Sequence, residues 1–238
     1  MIRAVLLDFG GTLDTDGIHW SEKFWDIYQR LEVNVAKSDY ERAYVSAEER
    51  MSKEGPTPQA TLRSTLKKQL GYQVAFLRRL RHLEGENDDR ALAATMADEC
   101  YRDVLRTIAA AKPHLRELAG RYRLGLVSNF NGNLERVCRE LEISGYFSTL
   151  VDSALVGVAK PDPAIFGIAL RHLDVPAENS LMLGDSYDRD IVPAKQAGCT
   201  TVWLRGRSWR MPESSALADF TISTLAELPG VLLGLGKE

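Results

Sequence analysis

Cysteine is scarce in this 238-residue chain, and the three that occur, Cys100, Cys138 and Cys199, lie far apart in the sequence. An odd number of cysteines with no CxxC pair argues against a disulfide framework and against a cysteine-ligated metal. We therefore expect three buried, reduced thiols and a cytoplasmic location.

Net charge and long apolar runs are also lacking. The formal net charge is only −3, which gives no electrostatic reason to expect a nucleic-acid partner. No stretch of about 18 apolar residues occurs, so no membrane-spanning helix is expected. The first apolar run, at residues 4–7, ends at Asp8 and is too short for a signal segment. With 45% hydrophobic and 26% charged residues, the composition predicts a globular protein that buries its own core.

Short apolar runs flanked by turn residues mark the expected strands. Continuous runs of this kind are typical of parallel strands that are covered on both faces. Helical periods separate them, which indicates right-handed crossovers. The sequence therefore predicts an α/β fold with a doubly wound parallel sheet. The expected strands are residues 4–7, 124–127, 181–183 and 201–204, with a weaker one at 220–222.

The segment after the first strand shows helical periods without a convincing strand. Ser38 and Glu41 form a capping-box pattern at the start of one predicted helix, and Gly71 predicts a break or bend in the next. The α/β pattern resumes near Pro113. We therefore predict an all-α cap domain inserted into the α/β core. The predicted core is residues 1–15 and 113–238, and the predicted cap is residues 16–112.

Polar side chains follow the ends of several predicted strands. Asp8 ends the first strand, Ser128 and Asn129 follow the second, and Asp185 and Ser186 come shortly after the third. Open parallel sheets bind ligands beyond the carboxyl ends of their strands, where the strand order reverses. These side chains are therefore expected to converge on one pocket.

The chemistry of phosphoryl transfer gives each of these residue types a function. A carboxylate nucleophile such as Asp8 can accept a phosphoryl group and divide hydrolysis into two easier steps. The phosphate oxygens also need a cation and small donors, which Lys160 and Thr12 offer together with the residues named above. Two aspartates, Asp8 and Asp185, are what Mg²⁺ commonly takes from a protein. Asp190 is suited to hold Lys160 or to order the water around a metal.

Four segments of the chain resemble, in order, the four motifs of the haloacid dehalogenase superfamily: DFGGTLDT, SNFN, KPDP and GDSYDRDIVPAKQAG. The helical insertion after the first segment is similar to the cap domain of that superfamily. The resemblance implies that Asp8 is the nucleophile, that Ser128 and Lys160 bind phosphate, and that Asp8, Asp185 and the carbonyl of Gly10 hold Mg²⁺. The implied activity is that of a phosphatase acting on a small phosphorylated metabolite.

Position 10 departs from the phosphatase pattern. The phosphatases of the superfamily have a second aspartate there, which passes protons through its side chain, whereas this chain has glycine. General acid–base catalysis is worth typically about 10²–10⁴-fold in rate. Asp14, Asp16 and His19 lie just past the motif, and each is a candidate to replace the missing group.

Three alternatives stay open. Dehalogenases of the superfamily also lack that aspartate, but they lose the metal-binding carboxylate that this chain keeps as Asp185. The phosphonate-cleaving branch has a small residue at this position and uses a cap lysine as a Schiff base. A degenerate member would bind a metabolite or a protein without turnover. The sequence carries no sign of oligomeric state. The cap lysines available for the second alternative are Lys23, Lys37, Lys53, Lys67 and Lys68.

Overall fold

The protein is described here from a computed structural model, which covers residues 1–80, 88–209, 212 and 216–236. One sheet of six strands has the order β3-β2-β1-β4-β5-β6, and every pairing is parallel. The order reverses between β1 and β4, so the predicted doubly wound α/β class is confirmed. The strands are β1 Ala4–Leu7, β2 Arg123–Ser128, β3 Thr149–Asp152, β4 Ser180–Gly184, β5 Thr200–Leu204 and β6 Phe220–Ile222.

Five of these strands are the ones that the apolar runs predict, and the sequence pattern misses β3. The apolar part of β3 consists only of Leu150 and Val151, which is too short a run to separate a strand from a loop. Its pairing with β2, in the register Ser128↔Asp152, fixes it as the edge strand. A long-range contact therefore decides this element, and local composition does not.

Nine α-helices accompany the sheet in the described residues. Two further helical turns, Phe9–Leu13 and Tyr187–Ile191, directly follow β1 and β4. The helices are α1 Trp20–Arg30, α2 Lys37–Lys53, α3 Leu62–Arg79, α4 Asp89–Ala119, α5 Leu134–Glu140, α6 Ser153–Val156, α7 Ala164–Leu173, α8 Val192–Gln196 and α9 Leu228–Leu235. None of the helices in the described residues is both long enough and apolar enough to cross a bilayer.

Helix α2 begins earlier than its sequence signature predicts. The helix starts at Lys37 with Ala36 as its N-cap residue, and no side chain caps it. Ser38 and Glu41 therefore lie inside the helix, and the predicted capping box is wrong. The buried face of α2, which includes Tyr40, packs the helix in place, and packing outweighs a local cap.

The break or bend predicted at Gly71 is also absent, and a helix crosses the predicted domain boundary. Helix α3 continues through Gly71, because the buried residues Leu70 and Val74 on either side pack against neighbouring helices. Helix α4 continues through Pro113 to Ala119. The predicted domain boundary at 112/113 thus falls within an unbroken helix, and the division into core and cap stays a prediction.

Apolar side chains cover both faces of the sheet. Val5 and Leu7 of β1 belong to a core that is continuous with helices α1–α4, whereas Ala4 and Leu6 belong to a second core beneath α7. This alternation along one strand is the physical reason for its uninterrupted apolar sequence. The three cysteines are buried free thiols, as expected.

The connection between α2 and α3 is hydrogen-bonded to the loop after β2. The backbone N–H of Thr57 donates to the carbonyl of Asn131 at 2.7 Å. The side-chain amide of Asn133 donates to the carbonyl of Ala60 at 2.9 Å and to Oγ1 of Thr65 at 3.0 Å. These bonds place the helical block over the carboxyl ends of the strands.

Candidate active site

A cavity of about 590 Å³ lies between the carboxyl ends of the strands and helices α1–α3. Its floor comes from strand ends and the loops that follow them, and its opposite wall comes from helices α1, α2 and α3. The floor residues include Asp8, Ser128, Asn129, Lys160, Asp185, Ser186 and Asp190, and the wall residues include Trp20, Tyr44, Glu48, Leu62, Leu66 and Gln69.

Lys160 lies at the centre of the floor, buried between two carboxylates. Its Nζ donates to Oδ1 of Asp8 at 2.7 Å and to Oδ1 of Asp190 at 2.6 Å. Burial lowers the pKa of Lys160, but the charges of Asp190 and Asp8 outweigh burial and raise the pKa overall. The ammonium is therefore charged at neutral pH.

Asp185 brings a third carboxylate to the same place. Carboxylate oxygens of Asp8, Asp185 and Asp190 all lie within 4.8 Å of one another. Burial, followed by the charges of Asp190 and Asp8, raises the pKa of Asp185 well above its ordinary range. One lysine does not balance three carboxylates, so the floor carries an excess of negative charge that a cation would offset.

Two glycines permit this crowding. Gly11 has φ of +92°, and a Cβ there would lie 2.4–2.6 Å from the carboxylate of Asp185. A Cβ on Gly184 would lie 2.3–2.4 Å from the side chain of Asp190. No other residue fits at either position without moving a carboxylate.

Thr12 and Asn129 were predicted as substrate-binding donors, but the structure places their polar atoms against the protein. Oγ1 of Thr12 donates to Oδ1 of Asp185 at 3.0 Å and accepts the backbone N–H of Asp185 at 2.9 Å. The amide of Asn129 donates to the carbonyl of Lys160 and accepts its N–H, both at 2.8 Å. The two residues therefore orient Asp185 and Lys160.

Ser128, Ser186 and Asp190 lie where the sequence predicts. Ser128 lines the cavity beside Asp8 and is buried. Asp190 is fully buried, and its two oxygens are used by the protein, because Oδ2 accepts the N–H of Ser186 at 3.0 Å while Oδ1 accepts Lys160. Asp190 is thus a partner of Lys160, as its position five residues after Asp185 suggests.

At position 10, an indole occupies the space where the missing side chain would project. Gly10 has φ of −77° and ψ of 114°, which any residue can adopt. A Cβ on Gly10 would lie 3.6 Å from Cδ1 and 3.7 Å from Nε1 of Trp20, at ordinary van der Waals distance. The backbone does not require glycine here, but a longer side chain would meet the indole.

Asp14 is held by that same indole. Its Oδ2 accepts Nε1–H of Trp20 at 2.8 Å, and its Oδ1 accepts the backbone N–H of Gly11 at 2.8 Å. Asp14 lines the cavity but is only 1% exposed. Burial raises the pKa of Asp14 to about 7 against the lowering effect of these two hydrogen bonds, and the charge of Asp8 adds to the increase. The carboxyl group is thus poised to exchange a proton near neutral pH.

The other two candidates for proton transfer are placed differently. Asp16 accepts Oγ1–H of Thr224 at 2.7 Å and the N–H of Leu225 at 2.8 Å, and it does not line the cavity. Its carboxylate binds the start of the turn Leu225–Glu227, which removes it as a replacement. His19 does line the cavity, but as the N-cap residue of α1 its Nδ1 accepts the N–H of Ser21 at 3.2 Å.

None of the five candidate lysines, all of them in the described part of the chain, lines the cavity. Nζ of Lys23 pairs with Asp103 at 2.5 Å, and Nζ of Lys68 pairs with Glu54 at 2.6 Å. Within the described ranges, Lys160 is the lysine that lines the cavity. The amine that phosphonate cleavage through a Schiff base needs is therefore not in place. The lysines predicted as candidates and found outside the cavity lining are Lys23, Lys37, Lys53, Lys67 and Lys68.

Sequence reasoning missed several residues of the cavity wall. Tyr44 and Glu48 are one helical turn apart on α2, and Gln69 lies on α3. Trp20 belongs to none of the four motifs, and Arg189, which lies on the floor, stands inside the last motif between Asp185 and Asp190. The spacing of Tyr44 and Glu48 next to an apolar helical face is a usable signal, but it does not show what the helix faces.

Comparisons with known proteins agree with this geometry. A family model described as haloacid dehalogenase-like hydrolase matches residues 2–198. The 2-haloacid dehalogenase of Pseudomonas syringae pv. Tomato DC3000 has a solved structure that is 25% identical, with a TM-score of 0.54, over 99% of this chain and 100% of that chain.

Two curated relatives are similar to parts of the chain. A glyceraldehyde 3-phosphate phosphatase of Pyrococcus abyssi is 40% identical over 106 residues, which is 42% of this chain and 43% of the relative. The pyrimidine 5'-nucleotidase YjjG of Escherichia coli is 34% identical over 134 residues, which is 55% of this chain and 58% of the relative. The matched part spans about half the length of each relative. Because the family model covers most of the chain and the motifs meet at one cavity, the chain belongs to the haloacid dehalogenase-like hydrolases.

Proposed function

We propose that this hydrolase is a Mg²⁺-dependent phosphatase that acts on a small phosphorylated metabolite through an aspartyl phosphate on Asp8. The observation that carries the proposal is the position of Lys160, whose ammonium joins Asp8 to Asp190 beside the third carboxylate, Asp185. A nucleophilic carboxylate beside a buried cation and a second acidic group suits phosphoryl transfer. The phosphatase and nucleotidase names of the two relatives support the same reaction type.

The donor set fits a hard divalent cation. Asp8 and Asp185 offer carboxylate oxygens, Gly10 lines the cavity with its backbone, and the raised pKa of Asp185 is what an uncompensated carboxylate has. We propose these three residues as the ligands. A bound Mg²⁺ would offset negative charge on the phosphate oxygens.

In the proposed mechanism, Lys160 binds Oδ1 of Asp8, so Oδ2 is the oxygen that attacks phosphorus. Ser128 would bind a phosphate oxygen from the floor. The leaving oxygen takes its proton from the protonated carboxyl group of Asp14. The Asp14 carboxylate then takes a proton from a water molecule, and the oxygen of that water attacks phosphorus. This breaks the bond between phosphorus and Asp8, releases phosphate and restores the Asp8 carboxylate. Residues 16–112 would act as the cap that excludes bulk water from the reaction.

The proposal is tested with p-nitrophenyl phosphate and a panel of sugar and nucleotide phosphates, with Mg²⁺ and after its removal with a chelator. We expect turnover that depends on Mg²⁺, and a decrease of at least about 10⁴-fold in the Asp8→Asn variant. Activity that persists in Asp8→Asn, with unchanged thermal unfolding, would contradict the proposal. Binding of phosphates with no turnover in the wild type or in Gly10→Asp would instead indicate a degenerate member that only binds.

A second candidate function is dehalogenation of a 2-halo acid. It is favoured by the glycine at position 10 and by the 25% identity to the dehalogenase of Pseudomonas syringae. Asp185 weighs against it, because a second carboxylate beside the nucleophile repels a carboxylate substrate. Release of chloride from 2-chloropropionate without Mg²⁺ would favour this function over the phosphatase.

A further inference from the structure

Charge is distributed unevenly around the cavity. Among the described residues, the lining contains five carboxyl groups and two cations, Lys160 and Arg189. The carboxyl groups are Asp8, Asp14, Glu48, Asp185 and Asp190. A divalent cation would offset most of the excess negative charge, and one phosphate group would then meet a nearly balanced site.

Of these five carboxyl groups in the described residues, Glu48 is the one that comes from the helical wall. Glu48 on α2 faces the cavity, where its Oε1 accepts the side-chain amide of Gln69 on α3. Basic residues are plentiful on these helices, with two on α1, four on α2 and five on α3. None of them lines the cavity. In the described residues, the wall that would meet the organic part of a substrate therefore offers a carboxylate and neither a lysine nor an arginine.

Arg189 is the cation that is placed to offset the negative charge of Glu48. It comes from the turn Tyr187–Ile191 on the floor and lines the same cavity. Desolvation of the carboxyl group raises the pKa of Glu48, and the positive charge of Arg189 acts against that increase. The positive charge of Arg189 is thus partly compensated by Glu48, which reduces its attraction for an anionic substrate group.

We propose that the site selects phosphate monoesters whose alcohol part carries no second anionic group, and that Glu48 is a residue that enforces this selection. The inference rests on the proposed phosphatase function. The rest of the wall fits an uncharged, hydroxylated or planar group, because Tyr44 and Gln69 offer polar atoms while Trp20 and Leu66 offer apolar surface. A distal carboxylate or phosphate would meet the like charge of Glu48.

The test uses two probes of similar size that differ in one distal group: glycerol 3-phosphate, with a neutral hydroxymethyl end, and 3-phosphoglycerate, with a carboxylate. We expect kcat/KM to favour glycerol 3-phosphate by about 10-fold or more at low salt, mostly through KM. In Glu48→Gln the preference should fall about five- to tenfold. Because Glu48 is exposed to solvent, salt screens its charge, and the ratio of the two kcat/KM values in the wild type should decrease as the salt concentration rises.

Matched variants separate charge from shape. Glu48→Asp keeps the carboxylate and should keep most of the preference, whereas Glu49→Gln changes an adjacent glutamate outside the cavity lining and should leave the preference as in the wild type. A wild-type ratio near one, or a ratio that Glu48→Gln leaves unchanged, would overturn the inference.

The failure of the proposed function has a different signature. If the Mg²⁺-loaded wild type hydrolyses neither probe, the phosphatase proposal fails, and calorimetric titration of the same two compounds then tests the selection without turnover. Tighter binding of glycerol 3-phosphate, with a difference that shrinks in Glu48→Gln, would still support the selection. Equal binding, or no binding of either probe, would overturn it.

Discussion

The floor and the wall of the cavity are built in different ways. On the floor, the charged atoms of Asp8, Lys160 and Asp190 are joined by direct hydrogen bonds. A side chain at Gly11 or Gly184 would clash with a neighbouring carboxylate. The wall offers Glu48, a solvent-exposed side chain on a helix surface. The difference indicates that backbone geometry constrains the floor more tightly than the wall, and in our proposal the side chains of the wall select the substrate.

The largest expected effect tests how tightly the floor is built. Gly11→Ala places a Cβ within 2.4–2.6 Å of the Asp185 carboxylate at a φ of +92°. We expect kcat/KM to fall by about 10²-fold or more from the displaced carboxylate, and stability to fall by about 1–3 kcal/mol from backbone strain. Gly10→Ala is the matched control, because its Cβ meets only ordinary contacts, and should unfold like the wild type. Equal behaviour of the two variants would contradict a rigid floor.

A smaller effect tests whether Asp14 performs the proton transfer of the aspartate that is missing at position 10. Asp14→Asn should lower kcat/KM for alkyl phosphates by about 10²-fold, because the alkoxide leaving group needs a proton. The loss with p-nitrophenyl phosphate should be much smaller, since p-nitrophenolate leaves without one. The ratio of the two losses is the measurement. A uniform decrease for both substrates would assign Asp14 a structural role.

The pH dependence follows from the direction of the Asp14 shift. Burial raises the pKa of Asp14 to about 7 in the folded protein, so the carboxyl group stays protonated up to that pH and loses its proton above it. If it is the general acid, kcat/KM for an alkyl phosphate should be level below pH 7 and should fall about tenfold per pH unit above it. In Asp14→Asn that decrease should be absent. A profile that is identical in the two proteins would exclude Asp14 as the acid.

The smallest effect is expected away from the cavity. Asp16→Ala removes the carboxylate that accepts Thr224 and Leu225, which should lower the free energy of unfolding by about 1 kcal/mol. The kcat/KM of this variant should remain within about twofold of the wild-type value, because Asp16 does not line the cavity. Chemical denaturation and the phosphatase assay measure the two quantities. A large loss of activity would make Asp16 a candidate proton donor again.

Local sequence predicts most of the sheet and the chemical groups on the floor. The apolar runs identify five strands, and Asp8, Lys160, Asp185 and Asp190 meet as the motifs suggest. It does not predict the partners of polar atoms. Thr12 and Asn129 carry donors that suit a phosphate, yet the fold directs those donors to Asp185 and Lys160. A donor type is visible in a sequence, whereas the atom that it meets depends on distant segments.

The sequence by itself determined the family, five of the six strands and the loss of a carboxylate at position 10, because these depend on residue type, order and short-range periodicity. Only the tertiary structure decided which groups surround position 10. Trp20, at the start of α1, lies over Gly10 and donates its indole N–H to Asp14. Asp16 instead accepts a hydrogen bond from Thr224. Asp14 and Asp16 are two residues apart and have the same side chain. Burial and partners separate their chemistry, and both are properties of the folded chain.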